Sequence, residues 1–332
     1  MRSEPAPVSP AFPPEVVRPA AAAAATAVRE PDAGPAGPVP SAPPPFAFAP
    51  VPPPPAAAPG APAGRRHPSA GRNLPAAIGV AAILIAVLLA SLWFRPEPFI
   101  VLVCVAVVLG AHELSQAMGH GGVSLAFLPL AVGGVAVQVS GYLSGPAGVL
   151  CAFFLTAGAV IAWRATEGTG RTFGRDAMVG VLASIYLPLL AGCATLLVLR
   201  PRGRWLVLTF IALSIANDTG GYIAGVLFGK HKLAPSVSPK KSWEGLAGSV
   251  ALCALAAWLA VWLLGAPAWL IPLLALGAVV TSTLGDLIES LLKRDLGIKD
   301  MGHLLPGHGG VLDRIDSILL SAPAAYLVFL LI

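Results

Sequence analysis

Residues 268–292 read AWLIPLLALGAVVTSTLGDLIESLL. The stretch up to Gly285 carries no charged side chain, and a run of about 20 apolar residues in a helix crosses the hydrocarbon of a bilayer. Asp286 and Glu289 then close it. A carboxylate inside or at the edge of a span is costly, so these two invite a functional hypothesis as well as a fold.

Working outward, the same pattern repeats. Apolar segments fall near 75–94, 98–118, 122–140, 143–164, 176–200, 204–228, 243–264, 268–292 and 312–332. The fold class expected is therefore all-α, a polytopic integral membrane protein with about nine transmembrane helices. Pro129, Gly133, Gly134, Gly141 and Pro146 interrupt the third and fourth segments. Such breaks are tolerated where neighbouring helices satisfy the freed backbone groups. The short spacing of the first four segments predicts tight hairpins. Composition agrees: 56% of residues are hydrophobic and 11% charged, whereas soluble domains carry about 25% charged residues.

Residues 1–73 are different. They hold 21 of the 34 prolines, with alanine filling much of the remainder. Such a segment lacks the apolar bulk to offset ordering entropy and reads as a disordered Pro/Ala-rich cytoplasmic tail. The domain proper is expected over 74–332. Cys104, Cys151, Cys193 and Cys253 each sit alone in an apolar stretch and read as buried thiols.

The net charge of +5 resides mainly between the spans. No alternation of basic and aromatic residues suits a nucleic-acid groove, so no nucleic-acid partner is expected. Topology and phosphate binding account for the charge better. Arg65, Arg66, Arg72, Arg164, Arg171, Arg175, Lys230, Lys232, Lys240, Lys241, Lys293, Arg294 and Lys299 all fall on one side of a nine-span protein. The other side receives Arg95, Arg200, Arg202 and Arg204. The majority side is expected to be cytoplasmic, and the Arg200 group runs against that rule.

Polar residues concentrate in the last third of the chain. Asn217 and Asp218 lie within the sixth span, Asp286 and Glu289 near the end of the eighth, and Asp313, Arg314 and Asp316 at the start of the ninth. Residues three apart share a helix face, so each carboxylate pair points one way. If the two helix ends meet, four carboxylates converge, and only cations relieve their repulsion. Oxygen ligands without cysteine suit Mg²⁺, which suits phosphoryl or nucleotidyl transfer. Between the helix ends run Lys293, Arg294, Lys299 and Asp300, then Pro306-Gly307-His308-Gly309-Gly310. Glycines let backbone N–H groups approach a phosphate, and a helix N-terminus favours anions. The sixth connection adds Lys230, Lys232, Lys240, Lys241 and Ser242.

Taken singly, each residue has a plainer reading. Lysines anchor topology, Asp313 caps a helix, and Asp218 is a buried polar group with a helical neighbour. His112 and Glu113 in the second span read as structural pairing before catalysis. What the plain readings leave unexplained is the gathering of so many polar groups in one short region.

The stretch Ser290-Leu291-Leu292-Lys293-Arg294 through Lys299-Asp300, continuing as Pro306-Gly307-His308-Gly309-Gly310-Val311-Leu312-Asp313-Arg314-Ile315-Asp316, resembles the signature of the bacterial phosphatidate cytidylyltransferases. Asn217-Asp218-Thr219-Gly220 and Ser238-Pro239-Lys240-Lys241-Ser242-Trp243-Glu244-Gly245 resemble further segments of that family, with Ser242 where threonine is commoner. The resemblance covers about residues 75–332. It implies a homodimer of about nine membrane helices in the bacterial inner membrane, with its active site facing the cytoplasm. It implies CTP and phosphatidic acid as substrates, and Mg²⁺ held by Asp286 and Asp313, with a second cation such as K⁺ sharing the centre. Lys241, Lys293, Arg294, Lys299 and His308 would contact phosphates. Asp218, Asp300 and Asp316 would support the metal or position the basic residues. Lys240, Ser242, Gly309, Gly310 and Arg314 would complete substrate binding. A transporter is the main competing reading, since intramembrane carboxylates also line ion pathways. It predicts polar residues at the midplane of two related halves, and no internal repeat is found here.

Overall fold

A computed structural model describes residues 74–168, 170–235, 237–304 and 309–332. The expected tail, residues 1–73, and residues 305–308, which include His308, lie outside the described residues. The described chain is mainly helical: α1 (Leu74–Trp93), α2 (Pro96–His120), α3 (Phe127–Glu167), α4 (Phe173–Ser184), a π-helical turn (Ile185–Leu189), α5 (Leu190–Val198), α6 (Gly203–Phe228), α7 (Trp243–Leu264), α8 (Leu270–Asp295) and α9 (Leu312–Phe329).

The all-α expectation needs one amendment. Between α6 and α7 the chain forms β1 (Lys232–Ala234) and β2 (Ser238–Ser242), an antiparallel hairpin with Lys232 opposite Ser242. The hairpin lifts Lys240 and Lys241 out of the helical connection and fixes their direction.

Among the described residues, six helical stretches are long and apolar enough to cross a membrane: α2, α3, the continuous α4-to-α5 stretch, α6, α7 and α8. The protein is membrane-embedded. The expected third and fourth spans are the two halves of α3, Gly79–Trp93 of α1 is a shorter apolar stretch, and α9 opens with the charged Asp313, Arg314 and Asp316.

α3 folds back on itself at Gly145, whose φ of 62° and ψ of −147° suit glycine alone. Pro146 starts the return half. Close packing of the two halves depends on missing side chains. A Cβ at Gly148 would collide with the Ser140 carbonyl, and one at Gly133 with the Thr156 side chain. The tight hairpin expected from the short spacing of the third and fourth segments is therefore present. Gly148→Ala is expected to destabilise the protein by about 1–3 kcal/mol, the usual range for overpacking. Gly158→Ala, with nothing near its Cβ, should be neutral or stabilising. Thermal unfolding in detergent distinguishes the two.

Pro188 sits inside the π-helical turn, and its carbonyl accepts the Gln138 amide at 3.0 Å. Gln138 in turn accepts the Thr195 hydroxyl at 2.7 Å. This buried pair of bonds carries the chain through the break without leaving the helix path.

The helices run between two ends of a bundle. At one end lie the α2–α3, α3–α4, α6–α7 and α8–α9 connections. At the other lie the α1–α2 junction, Gly145, the α5–α6 turn and the α7–α8 turn. Cross-links fix that second end: Arg204 donates to the Trp93 carbonyl at 3.1 Å, Arg202 to the Leu264 carbonyl at 2.6 Å, and Tyr142 to Glu97 at 2.9 Å.

α6 and α7 approach closely because glycine faces glycine. A Cβ at Gly220 would lie 2.5 Å from the Gly248 carbonyl, and one at Gly245 2.9 Å from the Gly221 carbonyl. Small residues at helix contacts are the usual basis of packing in lipid. This contact brings Asn217 and Asp218 beside the start of α7.

Candidate active site

α8 presents Asp286, Glu289 and Lys293 on one face, at spacings of three and four. α9 presents Asp313 in its first turn and Asp316 one position beyond it. Gly285 lets the two helices touch: a Cβ there would lie 2.7 Å from the Asp316 carbonyl and 3.0 Å from the Ser317 Cα. The expected meeting of the two helix ends therefore occurs. Tyr186 lies in the electrostatic field of Glu289, Asp316, Asp286 and Asp313 together.

The cations that relieve this cluster are lysines. Lys241 Nζ lies 2.7 Å from Asp286 Oδ2. Lys293 Nζ lies 3.0 Å from Glu289 Oε1 and 2.5 Å from Asp313 Oδ1. Glu289 is 2% exposed and lies against Lys293, Asp313 and Asp316. Lys293 is the cation at its side, and losing it would leave three carboxyl groups crowded together.

Asp313 also organises the α8–α9 loop. It accepts the Met301 N–H at 3.0 and 3.1 Å and the Gly310 N–H at 2.8 Å. Gly309, at φ 84°, comes close to it: a Cβ there would lie 3.1 Å from Asp313 Oδ2 and 3.7 Å from the Asp300 Cβ.

The start of α9 is capped from far away. Glu113 of α2, 1% exposed, accepts the Val311 N–H at 2.9 Å and the Leu312 N–H at 2.8 Å. A carboxylate suits these orphan donors and the positive end of the helix. Gly310 leaves room for it, since a Cβ there would lie 2.6 Å from Glu113 Oε2. The structural reading of Glu113 agrees with this geometry, and the cap holds the loop that carries the sequence signature.

Beside α8 lies a cavity of about 260 Å³ between α6, β2 and α7. Asp218, Lys240, Lys241, Ser242 and Asp286 line it. Asn217 fixes its wall: its amide donates to Asp218 Oδ1 at 3.1 Å, and its carbonyl oxygen accepts the Ser249 hydroxyl at 2.6 Å. Ser242 accepts the Gly245 N–H at 3.1 Å and so caps α7. Asp286 joins the cavity to the α8–α9 cluster, lying in the field of Lys241, Asp316 and Asp218.

The structure thus brings together Asp218, Lys240, Lys241, Ser242 and Asp286 at the cavity. It groups Lys293, Asp313, Asp316 and Gly310 at the adjoining helix ends. Arg294, Lys299 and Asp300 are exposed and make no ion pair among the described residues. Arg314 is exposed on the first turn of α9. His308 lies outside the described residues. The reading of single residues undervalued Thr283, whose hydroxyl donates to Asn217 at 3.4 Å; a lone threonine in an apolar run carries no signal.

Among the described residues, no group of three or more His, Cys, Asp or Glu side chains is arranged to hold a metal ion by itself. Magnesium often takes only one or two carboxylates and completes its shell with water and substrate phosphate. The donors present at Asp286 and Asp313 are oxygens only, and each carboxylate already sits against an ammonium group. Both positions therefore suit positive charge.

Fold and site define a membrane-embedded protein with a carboxylate- and lysine-lined site at one end of its helices. The chain belongs to the cytidylyltransferase family, whose family model matches residues 75–332. It is 41% identical over 285 residues to a phosphatidate cytidylyltransferase of Mycobacterium leprae, covering 80% of this chain and 90% of the relative. It is 40% identical over 277 residues to one of Mycobacterium tuberculosis, covering 79% of this chain and 84% of the relative. A third, from Pseudomonas aeruginosa, is 40% identical over 251 residues, covering 73% of this chain and 92% of the relative.

Proposed function

We propose that this chain transfers CMP from CTP to phosphatidic acid, giving CDP-diacylglycerol and pyrophosphate. The observation that carries the reading is the pairing of Lys241 with Asp286 and Lys293 with Asp313 where the cavity meets the α8–α9 ends. Alternating charge of this kind would suit a triphosphate and a lipid phosphate meeting there. Relatives named for this activity support it.

A phosphatidate oxygen forms a bond to the α-phosphorus of CTP, and the bond from that phosphorus to the bridging oxygen of the β-phosphate breaks. Pyrophosphate leaves with that electron pair. The chain's task is to align the two groups and hold their charge. Lys240 and Lys241 would receive the triphosphate from the hairpin side. Arg294 and Lys299, exposed and without ion-pair partners among the described residues, would receive phosphate from the loop side. Asp218 and Asp316 would orient the lysines. Asp300, close to Gly309, would hold the loop, and Arg314 and His308 belong to the same phosphate-binding set. Asp286 and Asp313 would hold Mg²⁺, which supplies neutralisation at the phosphates, and K⁺ is the second cation of this reading. Glycerol and acyl chains stay in the bilayer.

In this reading the chain crosses the membrane nine times, with the site end in the cytoplasm, the tail on the same side and a homodimer as the working form. The excess of lysine and arginine at the site end supports that sidedness.

Lys241→Met is expected to raise the KM for CTP about tenfold, the scale of one charge-assisted contact, with a smaller change in KM for phosphatidic acid. Initial rates in mixed micelles check this. An equal rise for both substrates would move Lys241 out of the triphosphate site. Chelation by EDTA should stop turnover, and added Mg²⁺ should restore it. Full activity in EDTA would remove the metal from the mechanism.

A further inference from the structure

The end of the bundle opposite the candidate site holds a feature the reaction does not use. Arg95, Arg200, Arg202 and Arg204 gather there against the single side-chain carboxylate of Glu97 among the described residues. Membrane proteins place such clusters on the cytoplasmic side by default. Here the larger basic set already occupies the other end, so topology alone does not explain these arginines.

Two cavities meet at this cluster. One, of about 370 Å³, is lined by Trp93, Arg95, Arg202, Arg204 and Trp205, at the junction of α1 with α2 and the start of α6. The second, of about 430 Å³, runs between α6 and α7 and is lined by Leu208, Ala212, Ala256, Leu259, Ala260 and Leu263. Arg202 and Trp205 line both. The first is cationic with an aromatic rim, and the second is apolar along the membrane-facing side of two spans. Trp93 is 63% exposed and Trp205 48%, as expected of side chains at the level of lipid headgroups.

The arginines are held in place. Arg202 takes a left-handed backbone, φ 59°, and its guanidinium bonds the Leu264 carbonyl. Arg204 bonds the Trp93 carbonyl and lies 5.9 Å from the Trp205 ring centroid. Each of these bonds uses one guanidinium N–H, and a guanidinium carries five. Arg95 forms no hydrogen bond or ion pair among the described residues. A fork of N–H donors matches phosphate oxygens.

We propose that this end binds an anionic glycerophospholipid from the leaflet opposite the candidate site. Its phosphate sits among Arg95, Arg202 and Arg204, and one acyl chain lies in the α6–α7 groove. The site would hold the α1–α2, α5–α6 and α7–α8 junctions together. It does not depend on the transfer reaction.

The test is native mass spectrometry of the full chain in detergent, titrated with phosphatidylglycerol or with phosphatidylcholine of the same acyl chains. The wild-type chain is expected to retain one phosphatidylglycerol about tenfold or more tightly than phosphatidylcholine. R95Q/R204Q should erase that preference. Ala260→Phe, which fills the groove but keeps every arginine, should weaken binding of both lipids. Inorganic phosphate should not compete. Unfolding midpoints check that the variants fold, and R95Q alone replaces the double variant if the double does not. Equal retention of the two lipids by the wild type would overturn the proposal. So would an unchanged preference in R95Q/R204Q, or an Ala260→Phe variant that alters only the ratio of one-chain to two-chain species.

Discussion

Asp313→Ala is expected to lower CMP transfer by a factor on the order of a hundred or more, the scale seen when one preorganised electrostatic group is removed from a reacting site. Three donors lose their acceptor together: the N–H groups of Met301 and Gly310 and the Lys293 ammonium. Lys293 then faces the buried Glu289 alone. The loop that carries Lys299 and Asp300 loses its tie to α9, so both the position and the charge balance of the site fail. Asp313→Asn separates these effects. It keeps an oxygen for the backbone N–H groups but removes the charge that holds Lys293. Its fold should persist, as read by an unfolding midpoint near wild type, while transfer still falls steeply. Near-normal rates in Asp313→Asn would show that geometry suffices and charge does not matter.

Glu113→Gln should be almost as damaging, by a different route. Glu113 accepts two backbone N–H groups, at 2.9 and 2.8 Å, from a buried position. Glutamine can accept only one and must turn its own NH₂ toward the other. An unsatisfied buried donor costs about 1–3 kcal/mol, and the lost carboxylate also stood at the positive end of α9. The unfolding midpoint should fall, and transfer should fall with it because the signature loop ends at that cap. Activity lost without any change in midpoint would place Glu113 in the chemistry instead. Gly310→Ala should share the phenotype, since its Cβ would press on the Glu113 carboxylate.

Much of this was legible in the sequence, for identifiable reasons. An apolar run as long as 268–292 can hardly be anything but a span or a buried helix, and the Gly/Pro breaks after residue 129 carry the α3 hairpin. The carboxylate spacing at Asp286/Glu289 and Asp313/Asp316 fixes a shared face, and Gly285 is the small residue that lets the faces meet. Which lysine would find which carboxylate was not legible. That depends on the hairpin, whose strands are too short and too polar to announce themselves by alternation. The Glu113 cap was not legible either, since it joins residues 198 apart in the chain.

The measurement that tests the central claim most directly follows the fate of label from CTP. The full chain in detergent is given phosphatidic acid and Mg²⁺ with CTP labelled on either the α- or the γ-phosphorus. The account predicts that α-label enters an extractable lipid while γ-label leaves as pyrophosphate, in equal amounts, and that Asp286→Asn abolishes both. Label from the γ-position in the lipid, or no lipid-borne label from folded protein, would contradict it.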